Sequence, residues 1–107
     1  MSTPKQSSVG RILVHIPAGL DALIPAFLER RQTDVKDLAA ALERDDFSTI
    51  EILGHRMKGN GASMGFAPIS RIGDALELAA PAADREQIKA LTVELHDYLE
   101  QVDVVYD

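Results

Sequence analysis

Gly54-His55-Arg56-Met57-Lys58-Gly59-Asn60-Gly61-Ala62-Ser63-Met64-Gly65-Phe66 sets one histidine among glycines in a stretch whose apolar spacing is helical. Glycine in a helix interior costs about 1 kcal/mol relative to alanine, so Gly54, Gly59 and Gly61 imply a need for bare backbone here. At about 100° per residue, His55 shares its face with Glu51 and Ile52 behind it and with Lys58, Gly59 and Ala62 ahead. Lys58 brings a cation within reach, and Gly59 removes the side chain that would cover the ring. An exposed imidazole beside an ammonium is suited to accept an anionic group.

Outward from this stretch the chain reads as successive amphipathic helices. Upstream, Ile24, Phe27, Leu28, Val35, Leu38 and Leu42 keep mainly to one stripe of a long helix ending near Arg44, with the Arg30-Arg31 pair and the acids mostly elsewhere. Pro25 forces a kink or a new start, and Pro17 opens a short helical turn before it through Leu20 and Leu23. Asp45-Asp46 offers a cap for the next helix, with Ser48-Thr49-Ile50-Glu51 as a competing capping box. That helix buries Phe47, Ile50, Leu53, Met57 and Met64, and Gly65 can take the left-handed conformation that stops it. Pro68 starts a third helix carrying Ile69, Ile72, Leu76 and Ala80, which Pro81 closes. Asp84 with Gln87 caps a last helix with the stripe Ile88, Leu91, Leu95, Leu99 and Val102. Short loops between such helices predict an all-α fold, an antiparallel up-down-up-down four-helix bundle with a short extra N-terminal helical segment. Residues 1–16 read as a polar, mobile tail followed by an extended segment, Arg11 to Ile16, lying along the bundle end. Residues 17–107 read as the bundle domain.

At 107 residues one domain is the expectation. A net charge of −6 argues against nucleic acid, whose phosphates a binder must neutralise. There is no cysteine, so disulfides and thiolate metal sites are excluded. Met1 to Gly10 lacks the apolar core of a signal peptide, and no later stretch is long enough to span a bilayer, so a cytoplasmic, monomeric protein without a membrane partner is expected.

The pattern His-x-x-Lys-Gly-x-x-x-x-x-Gly, filled by His55, Lys58, Gly59 and Gly65, resembles that of the histidine-containing phosphotransfer (HPt) domains of bacterial phosphorelays. The resemblance runs from about Pro17 to Val102 in the order of helices and loops. It implies that His55 takes a phosphoryl group from a receiver-domain aspartate and passes it to another receiver. The partners would be the receiver domain of a response regulator, a hybrid histidine kinase, or both. Imidazole suits this chemistry, since its ordinary pKa of about 6.5 leaves a neutral nucleophile near pH 7. Lys58 would offset phosphoryl charge, Gly59 would admit the partner, and Glu77 would hold the other ring nitrogen. Ile52, Ala62, Met64 and Phe66 would form an apolar docking surface. Asn60 departs from the serine many relatives carry after Lys-Gly, yet can still donate a hydrogen bond.

The chain lacks a P-loop, a glycine-rich nucleotide lid and an acidic cluster for magnesium, so the resemblance implies a phosphocarrier with no cofactor of its own, Mg²⁺ arriving on the receiver. His15 and His96 lack the company of His55, and no two histidines pair at i, i+3 or i, i+4, which leaves the two histidines and four carboxylates of a di-iron bundle unmet. Two alternatives stand beside the carrier: a helical module that docks on a receiver or kinase without carrying phosphate, and an enzyme subunit using His55 as a general base. The latter needs a concave pocket, whereas the spacing predicts a convex helix face.

Overall fold

The computed structural model describes residues 11–107; the expectation of a mobile tail over Met1 to Ser8 lies outside them. The element order is β1 (Ile12–Ile16), α1 (Ile24–Glu43), α2 (Phe47–Asn60), a 3-10 turn (Ala62–Met64), α3 (Ala67–Ala79), α4 (Arg85–Gln101) and β2 (Val102–Tyr106). The chain is thus mainly four helices, with α2 packed most closely on α3, α1 on α4 and α2, and α4 on α1 and α3.

Local chemistry fixes most boundaries. Pro25 sits in the first turn of α1, where its missing N–H has no intrahelical partner to lose. Of the two candidate caps for α2, Asp46 prevails: its carboxylate accepts the backbone N–H of Thr49 at 3.2 Å and the Thr49 hydroxyl at 2.7 Å. Asp84 caps α4 by accepting the backbone N–H of Gln87 at 3.2 Å. The core is the merged apolar stripes, with Ile24, Leu38, Ile50, Met57, Phe66, Ile69, Ile72, Leu76, Ile88 and Leu95 fully buried and Leu53 and Leu91 nearly so.

Three expectations are corrected. First, the fold is not purely helical, because β1 and β2 form a two-stranded parallel sheet running in register from Ile12 opposite Val102 to Ile16 opposite Tyr106. Val102 ends the helical spacing of α4 but begins the segment Val102-Asp103-Val104-Val105, whose three β-branched valines favour extended backbone. Residues 12, 14 and 16 turn inward, and Ile16 is fully buried in the bundle core. Second, the short N-terminal helical segment is a pair of turns: Leu20 N–H donates to Pro17 O and Leu23 N–H to Leu20 O. Gly19, at φ +103°, breaks any helix there. Third, Arg31 and Asp34 are in the core, at 4% and 1% exposure, although both charges read as belonging to the outer face of α1.

Candidate functional site

The site exists because α2 and α3 approach to backbone contact. A Cβ on Gly54 would lie 2.7 Å from the Gly73 carbonyl oxygen and 2.8 Å from the Glu77 backbone nitrogen, and a Cβ on Gly73 would lie 2.5 Å from the Lys58 nitrogen. Only glycine at both positions permits that approach, which carries Glu77 on α3 to the face of α2 that bears His55. Gly54 therefore serves packing. Gly73 was missed from sequence; a glycine inside the helical spacing of the third helix was the available signal.

His55 stands on the outer face of α2 with its side chain 73% exposed. Its Nδ1 lies 2.8 Å from Glu77 Oε2. The hydrogen bond with His55, aided by the nearby Lys58 charge, holds the Glu77 carboxyl below its ordinary range against partial burial. An ionised carboxylate is an acceptor only, so the proton of a neutral His55 ring sits on Nδ1 and the Nε2 lone pair is left free. Lys58 Nζ lies 3.2 Å from Asp74 Oδ1 and 3.4 Å from Glu77 Oε1. Asp74 first, then Glu77, raises the pKa of this lysine. Asp74 was missed from sequence; its place three residues before Glu77, on the same face of α3, was the available signal.

Gly59 leaves open space: a Cβ there would meet nothing within 4 Å. Gly65 takes φ +100° and its Cβ would lie 2.7 Å from Ile16 Cδ1, so it turns the chain and admits the β1 side chain, away from the ring. Ile52 is half exposed and lines a shallow depression of about 290 Å³ with Glu51, His55, Arg56 and Glu77. Ala62 is exposed and Met64 half-buried in the 3-10 turn beyond the end of α2. Phe66 is corrected: it is fully buried and stacks on Phe27 with ring centroids 5.5 Å apart, so it belongs to the core and offers nothing to a partner. Gly65 reverses the chain just before it and aims it inward.

Asn60 contributes by accepting, its Oδ1 taking a 2.9 Å hydrogen bond from Arg31 Nη1 that ties α1 to the end of the histidine helix. His15 and His96 are exposed and lie beside Asp107 and Asp97 respectively. Among the described residues no group of three or more His, Cys, Asp or Glu is arranged to hold a metal ion, and no helix is long and apolar enough to cross a membrane.

An exposed imidazole with one nitrogen held by a carboxylate and the other bare, at a shallow open depression, can bond chemically to a group delivered by another molecule. The family model of the Hpt domain matches residues 22–104. The chain belongs to the Hpt domain family. Hpt domains are phosphotransfer modules of two-component signalling that act as phosphocarriers and interact with receiver domains and kinases. No curated protein and no solved structure matches the chain at a significant level.

Proposed function

We propose that this Hpt protein is an intermediate of a phosphorelay, taking a phosphoryl group onto His55 Nε2 from the aspartyl phosphate of one receiver and passing it to the aspartate of another. The observation that carries the reading is the exposed His55 ring with Nδ1 at 2.8 Å from Glu77. As Nε2 attacks phosphorus, the bond from phosphorus to the aspartyl oxygen breaks and that carboxylate leaves. Positive charge develops on the ring and is met by the Glu77 carboxylate, while Lys58 faces the phosphoryl oxygens. The reverse sequence discharges the phosphate.

The receiver would bring Mg²⁺, seat itself over Ile52, Ala62 and Met64, and approach across the open flank at Gly59. The short connections support helices that alternate in direction, up-down-up-down, with the site near the middle of one long side. A monomer in the cytoplasm suits a carrier that must visit more than one partner.

The test is incubation with phosphorylated receiver domains. Label is expected on this chain, lost in acid and kept in base, as for a phosphoramidate. His55→Gln should fold normally and take up none. Label that persists in the variant, or that survives acid, would place the phosphate elsewhere. Stable complex formation with receivers but no label on the wild type would favour the alternative, a binding module that carries no phosphate.

A further inference from the structure

The cation that shares Glu77 with His55 is already claimed. Lys58 Nζ is shared between Asp74 Oδ1 at 3.2 Å and Glu77 Oε1 at 3.4 Å, and Glu77 also holds the His55 ring. Glu77 therefore has a task of its own, whereas Asp74 contacts Lys58 and no other cation among the described residues. Glu51 and Arg56, which line the same depression, carry opposite charges. With a neutral ring, Lys58, Asp74 and Glu77 together carry one net negative charge before any phosphate arrives. A dianionic phosphoryl group added there meets two carboxylates and a lysine drawn toward α3.

We propose that Asp74 sets how loosely phosphate is held on His55, by competing with the phosphoryl group for Lys58. The inference rests on His55 being the phosphoacceptor. A lysine held by Asp74 offsets less of the phosphoryl charge, which raises the free energy of the phosphorylated ring, so Asp74 tilts the equilibrium toward discharge onto a receiver. In that step the bond between Nε2 and phosphorus breaks, a receiver carboxylate oxygen bonds to phosphorus, and the ring recovers its lone pair with the proton still on Nδ1. Asp74 touches neither the ring nor the transferred group; it is a positioning residue acting through Lys58.

Phosphoramidate, a small donor that releases ammonia on transfer, labels a reactive histidine without any receiver and so separates the two levels of the reading. The measurements are the half-life of the labelled histidine and the partition of label between His55 and a magnesium-loaded receiver domain that accepts it from the wild type. Asp74→Asn keeps the side-chain shape and frees Lys58. It should lengthen the half-life and move the partition toward His55, each by about two- to fivefold at low ionic strength, the effect shrinking as salt is added. In a Lys58→Ala background the same substitution should change neither. Unchanged half-life and partition in a labelled Asp74→Asn protein would overturn the role of Asp74 and leave the carrier standing, as would an effect that persists without Lys58. Failure of the wild type to take label from both phosphoramidate and receivers would overturn the carrier reading and this inference with it.

Discussion

Arg31 and Asp34 lie one helical turn apart on α1, both in the core, with Arg31 Nε 2.7 Å from Asp34 Oδ2. Burial pushes Asp34 up and Arg31 down from their ordinary values, more strongly than each partner pulls the other back. The guanidinium also lies over the Phe27 ring at 4.8 Å and reaches Asn60, so it joins α1, the core aromatics and the end of α2. Removing one buried partner strands the other, and Asp34→Ala should lower unfolding stability by about 3–5 kcal/mol in urea titrations. Arg31→Met with Asp34→Leu should recover most of that loss, because neither charge then remains to be desolvated. At the site itself, Glu77→Gln keeps an acceptor for Nδ1–H while removing the charge, and Glu77→Ala removes both. Nitrogen NMR of His55 should report the Nδ1–H tautomer in the first variant and a mixture in the second. Phosphoramidate labelling should fall by roughly tenfold with Ala and less with Gln. Equal labelling in all three proteins would make Glu77 an ordinary surface acid.

The histidine helix carries two glycines of opposite meaning. Gly54 faces α3, where an added Cβ would run into backbone that cannot yield. Gly54→Ala should cost about 1–3 kcal/mol by forcing α2 and α3 apart, and should loosen the contact between His55 and Glu77 as well. Gly59 faces open space. Gly59→Ala should therefore stabilise the fold by up to about 1 kcal/mol through helix propensity alone. Gly59→Gln should keep that helicity but slow transfer from a receiver, while labelling by phosphoramidate, which needs far less room, stays normal. Receiver transfer at the wild-type rate with Gln would show that this glycine is not there for access.

Across the whole molecule, the sheet ties the beginning of the described chain to its end: Arg11 bonds Asp103, and Ile16 enters the core beneath Gly65. Ile16→Ala should cost about 2–4 kcal/mol, as for any fully buried aliphatic side chain, although the residue precedes the first helix. Acid sensitivity follows from carboxylates held below their ordinary values: Asp46 by the Thr49 hydroxyl and N–H, Glu77 by His55, Asp103 by Arg11. Each binds its proton less readily when folded, so its contribution is complete above the unfolded values of 3.8 and 4.5 and is lost as pH falls through the depressed ones. Asp34 runs the other way, since its raised value means that protonation favours the folded state as pH falls. The urea midpoint should hold near neutral pH and decline below about 4.5, and Asp103→Asn should flatten that decline.

Helical spacing, caps and prolines are local properties, and they determined the four helices, the Asp84 cap and the outward setting of His55 from sequence alone, while the α2 cap was narrowed to two candidates. An amphipathic stripe shows which face is buried but not what meets it. Only the tertiary structure therefore decided that Gly54 and Gly73 face each other, that Asp74 reaches Lys58, and that Phe66 turns inward. The sheet lay beyond local reading for a related reason: Val102 fits both the last turn of a helix and the first residue of a strand, and its parallel partner lies 90 residues earlier at Ile12. The burial of Arg31 and Asp34 was hidden because charge marks a surface only until another element covers it, and that cover, with Asn60 and the Phe27 ring, is assembled from distant parts of the chain.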